Sequence, residues 1–273
     1  MAHTAMFSDA GVRYHTNQDA ACIQVARTCL GEAALLAVCD GVGGLAWGEL
    51  ASATVVDGFC RWFRKKLPKE LPGLMRGGLA DGRGVEAEWR VLLSRLNEVL
   101  LSHGQGAGHL LGTCVSAVFV LGGDYVAVQV GDGRVLKLGR GFYEQISEDQ
   151  TLLAHKLRTR TIASERDAPA TDANTILQAV GSQRDLRPVF YHGSVEPDEL
   201  LVVCCDGIWR KVGNTGIYNM FGRVDFCDEG QLDGVCQELA RHALSLGETD
   251  NMTVACLSGD LERSRRGDAR CDR

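Results

Sequence analysis

Five aspartates stand beside apolar, β-like runs: Asp19 in "NQDAACIQVA", Asp40 in "LLAVCDG", Asp132 in "VQVGDGRVLKL", Asp206 in "LLVVCCDG" and Asp250 in "TDNMTVACL". Each alone reads as a turn, because Asp-Gly is the preferred hairpin dipeptide and Asp tolerates turn geometry. The turn reading is strongest for Asp132, which has β-like runs on both sides. It weakens for Asp40 and Asp206, which close apolar runs without polar alternation, the pattern of strands buried on both faces. After Asp40 comes "GVGG" and then a helical pattern, not a returning strand. If such strands share a sheet, their acids collect at one edge. Carboxylates held that close do not all stay ionised without a cation. Oxygen donors with no Cys or His set nearby favour Mg²⁺ or Mn²⁺ over zinc. Two such ions bridged by a water would lower its pKa and present a hydroxide, which suits phosphate chemistry. Residue types alone lead to a candidate acidic dinuclear metal site.

The elements that must position these acids are legible as short β-like runs bounded by Gly, Asp or Pro: "DAACIQVA", "ALLAVCD", "TCVSAVFVL", "YVAVQVGD", "RVLKLG", "FYEQIS", "PVFYHGSV", "ELLVVCCD" and "MTVACLSG". Helical spacing marks 47–67, 86–104 and 230–247, the last with Gly247 as its stop. Strands joined mostly by hairpins, with amphipathic helices grouped between them, predict an α+β fold. The stretch 68–84 reads as a loop. We expect one domain over 1–258 and a charged, frayed tail over 259–273.

The 273 residues, 45% hydrophobic and 23% charged, describe an ordinary globular chain. The net charge of -6 and mixed signs exclude a nucleic-acid stripe. No apolar stretch reaches membrane-spanning length and the start lacks a secretory signal, so a cytoplasmic protein without membrane contact is expected. The eleven cysteines form no C-x-x-C pair, and most lie in apolar runs (Cys39, Cys114, Cys204, Cys256), so they read as buried thiols in a reducing compartment. Trp47, Trp62 and Trp89 sit on helical patterns and are expected in the core.

In order, "RYHTNQDA", "AVCDGVGG", "GTCVSAVFV", "VGDGRVLKL", "SEDQTLLA", "ILQAVGS", "LVVCCDGIW" and "TDNMTVACL" resemble the metal-dependent protein serine/threonine phosphatases, the PPM or type 2C family, in its compact bacterial form. The likeness runs from about Asp9 to Leu257. It implies a sandwich of two antiparallel β-sheets flanked by helix pairs, in α-β-β-α layers. It further implies two Mn²⁺ or Mg²⁺ ions, with Asp40 bridging both, the Gly41 carbonyl beside it, Asp206 and Asp250 as ligands of one of them, and Asp19 either completing the set or holding metal-bound water. Asp132 matches a ligand of a third, weaker ion. Arg13 matches the arginine that binds substrate phosphate, a role suited to a forked guanidinium. The implied reaction is direct attack of the bridging hydroxide on phosphoserine or phosphothreonine, without a phosphoenzyme. The implied partner is a phosphorylated protein, a kinase or its target among them, with a monomer as the default state. The segment 151–174 occupies the family's flap position, either to meet a protein substrate or as an ordinary loop.

The sequence departs from the family at Val42, where many members carry a histidine general acid, at Gln18 for a glutamate, at Gly133 for a serine and at Gln150 for a histidine. None of these removes a core acid. Two rival readings stand beside it. One is an inactive phosphoprotein-binding module of the same fold. The other is a cysteine phosphatase built on Cys204-x5-Arg210, opposed by the apolar strand around Cys204, where burial would raise a thiol pKa.

Overall fold

β3 (Gly31–Gly41) is an almost unbroken apolar run whose alternate residues face opposite ways. Ala33, Leu35, Ala37 and Cys39 join one core, and Ala34, Leu36 and Val38 another. A strand apolar on both faces must be covered twice. The computed structural model, which describes residues 2–42, 47–77 and 83–261, meets that demand with two five-stranded antiparallel sheets. One sheet runs β1 (Thr4–Asp9), β10 (Met252–Ser258), β9 (Leu200–Cys204), β6 (Arg134–Gly139) and β7 (Phe142–Gln145). The other runs β2 (Ala20–Thr28), β3, β4 (Thr113–Leu121), β5 (Asp124–Val130) and β8 (Val189–Ser194). Helices α1 (Gly48–Arg61) and α3 (Arg83–Ala107) cover the β3 sheet, and α5 (Asp206–Phe221) and α6 (Glu229–Ser245) cover the other. The expected sandwich with helical outer layers is the fold.

The helix-side core of β3 is locked by aromatic packing. Phe59 and Trp89 meet edge-on at 5.0 Å, and Trp62 bridges Trp89 (5.3 Å) and Phe119 (5.2 Å). Each such pair contributes about 1 kcal/mol beyond its burial. Trp47 is not core: it is 40% exposed, at φ 58° ahead of α1, with its ring against His109.

The nine strands expected from sequence all form. β1, α4 (Leu152–Arg158) and α5 were not anticipated. The loop expected over 68–84 instead holds α2 (Leu67–Gly77) and the start of α3, while 78–82 lie outside the described residues. Pro68 is tolerated in the first turn of α2, and a π turn over Trp62–Lys66 precedes it, with the Leu67 N–H reaching the Trp62 carbonyl. Gly247, at φ 85°, follows the end of α6 as expected. At the C-terminus, the Gly259 N–H donates to Glu199 O (2.8 Å) and Leu261 is buried, whereas 262–273 of the expected tail lie outside the described residues. Among the described residues, no helix is long and apolar enough to cross a membrane.

Candidate active site

Asp40 continues the series Ala34, Leu36 and Val38, so β3 delivers it to the inter-sheet side at its own end, opposite Cys114 of β4. Asp19 stands just ahead of β2 and Asp250 two residues ahead of β10. Asp132 occupies the tight turn from β5 to β6, and Asp206 opens α5 directly after β9. These ends converge. Asp40, Asp132, Asp206 and Asp250 line one cleft of about 280 Å³, together with Arg13, Tyr14 and Arg210. Asp19 lies beneath it, in one cluster with Asp40 and Cys205 whose polar atoms are all within 4.8 Å. Every sequence-predicted side chain is therefore brought to one place. Gly41, expected to offer its carbonyl, follows Asp40, and its N–H donates to the Gln18 carbonyl (3.1 Å). The residues Gly43 and Gly44 of "GVGG" lie outside the described residues.

Backbone hydrogen bonds and close approaches fix the ligand loops. Gly11, at φ 63°, has no space for a side chain because its Cα faces the Asp250 carbonyl. That approach lets the N–H groups of Val12 (3.2 Å) and Arg13 (2.8 Å) donate to Thr249 O, which seats Arg13 beside Asp250. Buried Asn251 links three loops: it donates to Ala10 O (2.8 Å) and accepts from the Gln18 N–H (2.9 Å). Glu248 Oε1 accepts from the N–H groups of Thr249 (2.8 Å) and Asp250 (3.1 Å). The Asp132 turn is held from two sides. Trp209 Nε1 donates to the Asp132 carbonyl (2.9 Å), while the guanidinium of Arg134 stacks 3.4 Å over the Trp209 ring. Gln150 Oε1 accepts from the Gly131 N–H (2.9 Å), so the glutamine found where the family often has histidine braces this turn. At Gly133 a Cβ would collide with Ser116 Oγ and crowd the Cys204 carbonyl, so a serine there would require Ser116 to shift.

The electrostatics are those of crowded acids. Burial drives the Asp40 pKa well above the usual carboxylate range, reinforced by Asp19, Asp132 and Asp250 and partly offset by Arg210. Asp19 is pushed up to about 6, chiefly by burial, against the hydrogen bond it accepts from Thr253 Oγ1 (2.6 Å). Asp132 is raised by burial and held back by Arg210 and by the Cys114 thiol (3.4 Å). Asp19 Oδ1 is buried with no hydrogen-bond partner among the described residues. A buried carboxylate oxygen without a partner is costly, and hard, crowded oxygen donors fit a Mg²⁺-like cation.

One sequence expectation is corrected: thiols do stand near the acids. Cys205 accepts from the Thr253 N–H (3.0 Å) beside Asp19 and Asp40, and Cys114 touches Asp132. Burial raises both thiol pKa values well above normal, so they stay protonated and behave as neutral neighbours. Cys204 is fully buried on β9, with its pKa pushed up to about 12. Arg210 pairs with Asp206 instead of framing a thiolate loop. Sequence reasoning missed Asn251, Trp209 and Cys205, although each lies inside a quoted motif. It met Arg210 only as part of the cysteine spacing.

The protein phosphatase 2C family profile matches residues 13–241. The chain is 24% identical to the serine/threonine phosphatase stp of Listeria monocytogenes over 234 residues, 85% of this chain and 87% of that protein. It is 22% identical to protein phosphatase PhpP of Streptococcus pneumoniae over 94% of this chain and 98% of that one. Among solved structures, the Staphylococcus aureus phosphatase Stp1 superposes with a TM-score of 0.80 at 24% identity, covering 94% of this chain and 95% of Stp1. The S. agalactiae serine/threonine phosphatase gives 0.78 at 25% identity, covering 94% and 99%. With the sandwich, the acid-lined cleft and these relatives in agreement, the chain belongs to the protein phosphatase 2C family of protein serine/threonine phosphatases.

Proposed function

We propose that this phosphatase holds two Mn²⁺ or Mg²⁺ ions on Asp19, Asp40, Asp206, Asp250 and the Gly41 carbonyl, with Asp132 serving a third, weaker ion. The observation that carries this reading is the convergence of the five carboxylates at one sandwich end, with one Asp19 oxygen buried and unpartnered among the described residues. Bound there, the ions would supply a bridging hydroxide for in-line attack on the phosphorus of phosphoserine or phosphothreonine, without a phosphoenzyme.

The chain's own groups do the rest. Arg13 stands at the cleft mouth, its side chain 58% exposed and its Nη1 3.7 Å from Asp250 Oδ2. From there the guanidinium binds two phosphate oxygens and orients the ester. Val42 lines the cleft and has no proton to give, so the leaving alkoxide takes its proton from metal-bound water or another donor. Asn174, the last residue of the flap position, and Ile176 just beyond it also line the cleft. Lys156 and Asp172 pair at 2.7 Å and brace that segment, which includes α4 (Leu152–Arg158), as a wall for a protein substrate. The expected setting is a monomer in the cytoplasm acting on a phosphorylated kinase or its target.

The test is phosphate release from phosphoserine, phosphothreonine and phosphotyrosine peptides in Mn²⁺, with ³²P-labelled peptide and acid quenching. We expect turnover of the first two and no label on the protein. Covalent label would contradict direct attack. Binding of all peptides without turnover would favour the inactive binding module.

A further inference from the structure

Arg210 has no part in the reaction as proposed, yet it lines the same cleft as Asp40, Asp132, Asp206 and Asp250. It lies one helical turn beyond Asp206 on α5, the i,i+4 spacing that puts two side chains on one face. Its Nη2 pairs with Asp206, and its Nη1 lies 3.8 Å from Asp250 Oδ2. The Arg210 side chain is 27% exposed, and those of Asp206 and Asp250 are 11% and 22% exposed. Such pairs are screened less than surface ion pairs. The same positive charge opposes the upward shifts of Asp40 and Asp132. One guanidinium thus acts on four of the five carboxylates. Among the described residues Arg13, which also lines the cleft, is more exposed; it lies 3.7 Å from Asp250 and stacks over the Tyr14 ring.

We infer that Arg210 is a resident counter-cation which a divalent ion must displace from Asp206 and Asp250, so that this side chain sets how much free metal the phosphatase needs. The inference rests on reading those two carboxylates as metal ligands. A metal ion arriving there competes with the guanidinium for the same oxygen lone pairs and is repelled by its charge. The cation-free fold is stabilised by Arg210, and metal binding is opposed by it. Without Arg210 the acids are left to repel one another, so the cation-free fold weakens while affinity for a cation rises.

The experiment is calorimetric titration of the EDTA-treated, dialysed full chain with Mn²⁺ alone, alongside thermal melts with and without Mn²⁺. Arg210→Gln is expected to bind Mn²⁺ at least tenfold more tightly than the unsubstituted chain, to melt earlier in EDTA and to gain more on adding Mn²⁺. Arg210→Lys, which keeps a charge but loses the fork, falls between the two and serves if the glutamine variant does not fold. Lys211→Gln makes the same charge change at an exposed position of the same helix and is expected to shift the affinity less than twofold. Asp40→Asn separates the two ideas, because Asp40 makes no ion pair with Arg210. If Asp40→Asn weakens Mn²⁺ binding while the Arg210 variants bind no more tightly than the unsubstituted chain, the counter-cation inference falls and the metal site stands. If Asp40→Asn binds Mn²⁺ unchanged, the metal-site reading falls and takes the inference with it. An equal gain in Lys211→Gln would reduce the effect to net charge and overturn the inference.

Discussion

Asp40 and Asp206 follow almost the same residues, "AVCDG" and "VCCDG", and reach the same cleft, but their surroundings differ. Asp40 ends a strand and faces like charges: burial, Asp19, Asp132 and Asp250 all push its pKa up. Asp206 begins a helix and finds Arg210 one turn later. A shared local pattern therefore places both carboxylates, while the next element decides whether each meets a counter-charge. Asp206 pairs with Arg210 directly, whereas at Asp40 the same guanidinium only partly offsets burial and three like charges. The contrast also separates their costs, since a buried acid left unpaired costs the fold more than one with a counter-charge.

The largest test of this contrast removes the unpaired charge. Asp40→Asn should lower kcat by about a thousandfold or more, in line with the loss of a principal electrostatic group at a reaction centre. Its fold, followed by circular dichroism, should persist. Activity like that of the unsubstituted chain would remove Asp40 from the site.

The next is a pH effect without metal. Asp19 has its pKa raised from 3.8 to about 6 in the fold, so between these values the folded chain keeps a proton that the unfolded chain has lost. Stability in EDTA should therefore fall as pH rises from 4 to 7, by about 3 kcal/mol from this group. Asp19→Asn should flatten that slope in urea melts across the range, and an unchanged slope would refute the assignment.

Arg13→Ala should raise KM for a phosphopeptide roughly tenfold, with a smaller change in kcat, as expected for a charge-assisted phosphate contact. Equal KM values would end its phosphate role.

Trp209→Phe removes the N–H that holds the Asp132 carbonyl and should cost about 1 kcal/mol in a denaturant melt. Because Asp132 serves only the third ion in this account, turnover should change less than with Asp40→Asn. A loss as large as that of Asp40→Asn would place the Asp132 turn at the centre of the reaction.

Much of this was readable before any coordinates. The strands β4 and β6 match their expected runs residue for residue, because apolar β-formers bounded by Gly and Asp leave little ambiguity. β1 escaped notice as a six-residue edge strand, paired only with β10 and ending in polar residues. α5 escaped because Gly213, at φ 70°, breaks its helical geometry and two further glycines dilute its pattern. Missing α5 hid the i,i+4 relation of Asp206 and Arg210, leaving Arg210 legible only as part of a cysteine spacing. The acids were found because each sits beside a strong strand. The groups that orient them, Asn251, Glu248 and Trp209, act through contacts between segments far apart in sequence, which spacing along one chain does not encode.

In the reaction proposed here, carboxylates at the strand ends, not a thiol, support phosphate hydrolysis. The decisive measurement is phosphoserine-peptide hydrolysis in Mn²⁺, repeated with excess EDTA and separately after iodoacetamide. We expect activity to be abolished by EDTA, restored by added Mn²⁺ and retained after alkylation. Activity that survives EDTA and is lost to alkylation would contradict this reaction and move the chemistry to a cysteine.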